Sequence, residues 1–383
     1  MKITDNIKYI GVDDTKTDLF EGQFIIPDGI KYNSYVINDE KVAIMDSVDK
    51  GFTDSWLANI RREAEGDIDY LVVLHMEPDH SSSIYSFARE FPNAKIVSSQ
   101  KSFQMMKGFF GDDFENRQIV VKEGDTLCLG KHTLRFFQAP MVHWPEVMVA
   151  YEEEGRILFS ADAFGKFGIS ESAEDWSCEA RRYYFGIVGK YGMQVQALLK
   201  KIKGLEISKI CPLHGPILSS NLSYYINLYD IWSSYEPEDD GVFIAYTSVY
   251  GNTKKAVKLL YNELKEMGCP VSVSDLARDD MAEAVEDAFR YSKLVLATTT
   301  YNNDIFPFMR EFINHLTERL YQKRTVAFIE NGSWMPNATK VMKSMLEKSK
   351  SLSFANTEVK IISALNEESI SSIKALAREL SNK

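Results

Sequence analysis

Beyond residue 241 the apolar and polar positions follow a regular rhythm. The run 242–246, VFIAY, is apolar throughout, and helical spacing follows Thr253. VSVSDL is the next strand-like stretch, then an acidic helix near 280–290; KLVLATTT, RTVAFIE and EVKIISAL supply three more strands. Helical segments near 307–320 and 337–350 separate these, and a last helix fits 367–381. Five strands alternating with helices predict a doubly wound parallel sheet covered on both faces. Before residue 232 the pattern is less even. YNSYVIN, KVAIMDS and IDYLVVLH read as strands around a helix near 52–64. Helices near 82–90 and 99–107 come next, then strand-like QIVV, TLRFFQA, VMVAYE and RILFSA, and a long helical pattern over 178–203. Clustered strands with helices at the margins predict a two-sheet αββα sandwich.

The polar, acidic stretch 233–241, SSYEPEDDG, divides the two patterns. It sets domains of 1–238 and 239–383, and 383 residues with 45% hydrophobic content suffice for two separate cores. A net charge of −11 argues against nucleic acid or an anionic membrane as the main partner. The N-terminus lacks the apolar core of a secretion signal, and no apolar run nears the ~20 residues of a membrane span. The four cysteines are scattered and form no CxxC pair. Together these features predict a reduced, cytoplasmic protein without a disulfide framework.

Within that frame, residues 75–80 read HMEPDH, although the whole chain has only six histidines. The apolar run before His75 reads as a strand. Pro78 lacks an amide donor and pushes Glu77 out of the α region, so the motif is expected to be a loop, with a serine at 81–83 capping the next helix. A polar loop with solvated charges is the plain alternative. Neighbouring carboxylates, however, need a compensating cation. His143, Asp162 and His214 each stand where a strand pattern ends. With His75, Glu77, Asp79 and His80 they make four histidines and three acids, enough for two metals sharing a bridging carboxylate. His132 and His315 lack such a setting and read as structural. Trp144, beside His143, reads as packing rather than as a shield.

A second candidate site follows the strand 242–246. Thr247, Ser248, Val249, Tyr250, Gly251, Asn252 and Thr253 form a hydroxyl-rich turn at a helix N-terminus, suited to cradling a phosphate. The absence of a Walker lysine and of GxGxxG disfavours nucleoside triphosphates and dinucleotides. Two further loops follow strands at corresponding places. One holds Thr300, Tyr301, Asn302 and Asn303, the other Asn331, Gly332, Ser333 and Trp334. Tyr301 and Trp334 can stack on or shield a flat ring.

HxExDH, then a lone His, a lone Asp and a last His, resembles the metallo-β-lactamase superfamily. Most of its members carry HxHxDH; Glu77 here stands in place of the second His, and the harder carboxylate favours iron or manganese over zinc. Joined to a C-terminal flavodoxin-like region, the pattern resembles the flavodiiron proteins over nearly the whole chain. That resemblance implies one iron on His75, Glu77 and His143, a second on Asp79, His80 and His214, and Asp162 bridging both. His80 is off the metal in some members. It implies FMN on the three loops, with reduction of O2 to water, of NO to N2O, or both. It further implies a head-to-tail homodimer or a dimer of dimers. As no CxxC module follows the last helix, electrons are expected from a separate protein, a rubredoxin or related reductase. Two rivals stand beside this reading: a zinc-dependent hydrolase, and an FMN electron carrier without catalysis.

Overall fold

The computed structural model describes residues 2–170 and 176–381. Two compact units divide it, residues 1–230 and 231–383. The division falls earlier than the 238/239 expected from composition. Residues 231–238 are tied to the second unit: the buried Arg324 guanidinium donates to the carbonyls of Tyr235 at 2.7 Å and Glu236 at 3.3 Å, and Trp232 Nε1 donates to Glu238 at 2.8 Å.

Two large sheets and two two-stranded ones build the first unit. One runs in the order Ile7–Tyr9, Tyr35–Ile37, Val42–Met45, Ile68–Val72, Lys95–Ser98, Gln118–Val120, antiparallel for its first three strands and parallel thereafter. The other runs Thr126–Cys128, Thr133–Gln138, Met148–Glu152, Ile157–Phe159, Lys209–Cys211, with only the last pair parallel. Tyr35 of the first sheet meets Phe159 of the second with ring centres 5.3 Å apart, and its hydroxyl donates to Pro212 O at 2.6 Å. Helices cover the outside; Trp56 of Thr53–Glu63 is fully buried, with Nε1 donating to Ser34 Oγ.

Three expectations need correction here. Asp79 and His80 do not lie in a loop but in a one-turn helix, Pro78–Ser81, with Pro78 at its first position, where a missing N–H costs nothing. Glu77 is extended, at ψ 140°, as the following proline dictates. The helix Ile84–Glu90 has no side-chain cap; Ser83 Oγ is 2.7 Å from Thr53 Oγ1 instead. The helix expected over 178–203 is broken into Trp176–Tyr183, a wide turn Tyr184–Val188, a tight turn Gly189–Tyr191 and Gly192–Ile202. Glycines at 186, 189 and 192 weaken the helix there. The Phe24 ring also packs so close to Gly186 that a Cβ would sit 2.9 Å from it.

In the second unit the parallel order is Val271–Asp275, Asp239–Tyr246, Tyr291–Tyr301, Thr325–Asn331, Val359–Ile361, with helices between successive strands. Two short strands add to the expected five: Asp304–Ile305 folds back antiparallel on Tyr291–Tyr301, and Ser353–Phe354 lies parallel to Thr325–Asn331. Val257, Leu260 and Leu264 line one face of Asn252–Glu266, and Ile373, Leu376 and Leu380 one face of Glu367–Ser381. Both faces join Ile244, Val295 and Ile329 of the sheet in one core. Among the described residues no helix is long and apolar enough to cross a membrane.

Candidate metal centre and flavin cleft

Each candidate ligand stands just beyond a strand of the first unit. Val73 and Leu74 carry the buried strand Ile68–Val72 into His75, and the carboxylate of Asp46 fixes the turn by accepting from Leu74 N at 2.7 Å and His75 N at 3.3 Å. Asp162 follows Ile157–Phe159 and His214 follows Lys209–Cys211. Where these two turns meet there is no room for a side chain: a Cβ on Gly165 would lie 2.9 Å from Asp162 O.

The seven predicted residues come together as two groups. In the first, His143 Nε2 is 3.0 Å from both Glu77 Oε2 and Asp162 Oδ2, while His75 Nε2 is 3.4 and 3.2 Å from the same atoms. In the second, Asp79 Oδ2 is 3.2 Å from His80 Nε2 and 3.3 Å from His214 Nε2, and the two nitrogens are 2.9 Å apart. Asp162 joins the groups, since its Oδ2 faces the first and its Oδ1 lies 3.4 Å from His80 Nε2. Within each group the donor atoms lie within 4.8 Å of one another.

Buried polar atoms are normally satisfied. Here His75 Nε2, both oxygens of Asp79 and Asp162 Oδ1 are buried without a hydrogen bond among the described residues. Atoms so close yet unbonded point at shared positions rather than at each other, as ligands do around a cation. The residues present therefore fit two metal ions.

The electrostatics agree. Burial disfavours ionised Asp162 and Glu77, yet the surrounding histidines outweigh it and hold both carboxyls well below the usual range. Burial likewise disfavours protonated His143, but its bonds to Asp162 and Glu77 prevail and push it up to about 9. His75 is raised in the same way by Asp162, Glu146 and Glu77 against burial. Protons on imidazoles thus supply the positive charge that the acids require, and metal ions would replace them.

Two contributors escaped the sequence reading. Glu146 Oε1 accepts from His75 Nδ1 at 2.8 Å and Met76 N at 2.9 Å, which leaves Nε2 of His75 to face the site. Tyr183 is fully buried, its ring centre 5.5 Å from that of His214. Its hydroxyl has no partner among the described residues. Burial first, then Asp162, Glu77 and Asp79, raise its pKa well above the ordinary value. Trp144 is half-buried with its edge on His75, ring centres 5.5 Å apart, so it both packs and covers. His132 is buried, its Nδ1 2.9 Å from Glu152 Oε1 and its Nε2 3.2 Å from Asn6. His315 lies half-buried on the helix Pro307–Glu318.

In the second unit a cleft of about 710 Å³ opens at the carboxyl ends of the strands. Ser248, Val249, Tyr250, Asn252 and Thr253 line it, with Thr300, Tyr301, Asn302, Asn303, Asn331, Gly332, Ser333 and Trp334. Two predicted residues do not line it. Thr247 is buried beneath, its Oγ1 2.6 Å from that of Thr298, and Gly251 caps the helix Asn252–Glu266 with φ 88°. Thr299, Met335 and Ser363 line the cleft without having been expected; Ser363 belongs to the loop after the fifth strand, which carries no aromatic or phosphate-turn signal. Tyr250 at 93% and Trp334 at 81% exposure stand open at its rim, where a planar ligand would cover them.

A dinuclear metal site on an αββα sandwich, followed by a flavodoxin-type sheet, defines a flavin-linked dinuclear metalloprotein. The family model described as "ODP family beta lactamase" matches residues 30–215, and a "Flavodoxin domain" model matches 243–360. The nitric oxide reductase of Moorella thermoacetica is 30% identical over 361 residues, spanning 91% of this chain and 90% of its own. The rubredoxin oxygen:oxidoreductase of Desulfovibrio gigas has a TM-score of 0.91 at 25% identity, covering 100% of this chain and 97% of that one. The flavodiiron protein of Giardia intestinalis shares the fold, with a TM-score of 0.93 at 24% identity over 99% of this chain and 95% of its own. The chain belongs to the flavodiiron family of oxidoreductases, and FMN and a non-haem di-iron site are its cofactors.

Proposed function

We propose that this oxidoreductase reduces NO to N2O, O2 to water, or both, as a defence against these molecules. The convergence of four histidines and three carboxylates on two adjoining positions carries the reading. In it His75, Glu77 and His143 hold one iron, Asp79, His80 and His214 the other, and Asp162 reaches both. FMN would be held in the cleft of the second domain by the 247–253 turn and by the loops that carry Tyr301 and Trp334. When bound, FMN supplies single electrons and the iron pair supplies a redox-active place for a diatomic molecule. Glu146 holds His75 in one tautomer. Tyr183, buried with its ring against His214, keeps its hydroxyl proton at neutral pH. Phe20, whose ring is 5.5 Å from His214, and Trp144 exclude water.

The donor reading keeps a rubredoxin or related reductase as electron source, with a head-to-tail homodimer or dimer of dimers in the cytoplasm as the working form. The relatives named for nitric oxide and for rubredoxin and oxygen support both the substrate pair and the donor. Di-iron chemistry would belong to the first unit, residues 1–230, and flavin binding to the second, 231–383.

The test is anaerobic reduction of the holoprotein followed by NO or O2, with gas consumption and N2O recorded. Rapid uptake of either gas that metal-stripped, FMN-bound protein lacks is expected. Equal rates with and without metal would reduce the chain to an electron carrier.

A further inference from the structure

His214 is held differently from His75. The second ring nitrogen of a metal-binding histidine normally donates to an acceptor that fixes its tautomer and direction. For His75 that acceptor is the Glu146 carboxylate, whereas His214 Nδ1 donates to a backbone carbonyl, Lys31 O, at 2.7 Å. A carbonyl has no side chain to aim it. Its aim depends on what locks the chain at residue 31 against the turn that carries His214.

The next residues, 32–35, read YNSY. Successive side chains of an extended chain point to opposite sides. Ser34 Oγ turns toward the first sheet, 3.0 Å from Met45 O and 2.9 Å from Asp46 O. Asn33 and Tyr35 turn instead to the segment 212–215. Asn33 N donates to Leu213 O at 2.8 Å, and its Nδ2 donates to Pro212 O at 2.8 Å and to Gly215 O at 2.9 Å. The Tyr35 hydroxyl takes the other lone pair of Pro212 O. Gly215, at φ 76°, bends the chain back, so that the carbonyls of Pro212 and Gly215 meet one amide. A single, wholly buried side chain thus clasps the turn on both sides of His214.

The clasp is held at a cost. Asn33 Oδ1 is buried without a hydrogen bond among the described residues, although buried polar atoms are normally paired. An apolar side chain of the same volume would avoid that orphan, but it would take the donor away from both carbonyls.

We propose that Asn33 is a positioning residue for the second metal position: it fixes the His214 turn against residue 31 and so sets the direction of His214 Nε2. The inference rests on the metal-centre reading above. Its bonds to 212, 213 and 215 surround His214, whereas His75, Glu77 and His143 have other supports, so the effect falls on one position of the two.

The test is anaerobic Co(II) titration of the metal-free full chain, with chelator competition to resolve two binding steps, in wild type, His214→Ala, Asn33→Leu and Tyr35→Phe. Wild type is expected to bind two Co(II) per chain, and His214→Ala shows which step and which visible bands belong to the second position. Asn33→Leu is expected to weaken that step roughly 10- to 100-fold and to leave the other at its wild-type affinity. Tyr35→Phe removes a single bond to Pro212 O and should weaken the same step by a smaller factor, which keeps the test open if Asn33→Leu does not fold. A purely structural role would lower both steps together with the melting temperature. Equal weakening of both steps, or wild-type affinity for the second position in either folded variant, would overturn the role of Asn33 and leave the centre standing. Failure of wild type to bind two Co(II) would overturn the centre and this inference together.

Discussion

Asp162 is the residue on which the centre turns, because its two oxygens face different histidine groups. Replacing it with Ala is expected to strip iron from the purified protein while FMN stays bound; normal iron content would remove Asp162 from the bridging role. Glu146→Gln keeps the shape but weakens the acceptor behind His75. It should lower metal affinity roughly 10- to 100-fold, read by chelator competition, and an unchanged affinity would count against it. Proton linkage gives a third expectation. In metal-free protein the raised His143 contributes stability that is complete below the ordinary histidine value of 6.5 and is lost as pH rises through about 9. The melting temperature of the metal-free form should therefore fall across that window. The loaded form, whose ligand imidazoles carry no such proton, should not show that fall. At this scale the chemistry was legible where residue types are rare: four of six histidines converge. Glu146 and Tyr183 were not legible, since glutamates and tyrosines are common and only tertiary placement gives these two a role.

At the scale of elements, the helix Asn252–Glu266 links the flavin cleft to the core. Ser248 Oγ accepts from Gly251 N at 3.1 Å and Lys254 N at 3.2 Å, so a side chain of the turn itself organises the helix start. Thr253 lies in its first turn, with Oγ1 3.5 Å from Asn331 Nδ2. Thr253→Ala should weaken FMN about tenfold, since a hydrogen bond to a charged group is worth roughly 1.5 kcal/mol or more, and should leave iron unchanged. Flavin affinity equal to wild type would take Thr253 out of the phosphate site. The helices and the central strands of this domain were readable because they are long and apolar on a fixed period, whereas the two-residue strands Asp304–Ile305 and Ser353–Phe354 show none. Elements of the first domain were harder to read. Its hairpin Leu19–Phe20 and Phe24–Ile25 is too short to show a period, and the break after Tyr183 reflects a Phe24–Gly186 contact made far apart in sequence.

For the whole molecule, metal and flavin sites belong to separate compact units, each with its own core. The order of the two domains was plain from the change in rhythm near residue 240, but the exact division was not, because Arg324 lies nearly ninety residues beyond the segment it binds. Ions that bind only the folded form stabilise it; chelation should therefore lower the unfolding temperature of the first domain while flavin absorbance stays put. The most direct test of the central claim is iron and zinc content per chain in protein made in iron-replete medium and purified without added metal. Two irons per chain beside one FMN is the expected result. Zinc in their place, or folded FMN-bound protein without metal, would contradict the di-iron assignment and return the chain to a hydrolase or an electron carrier.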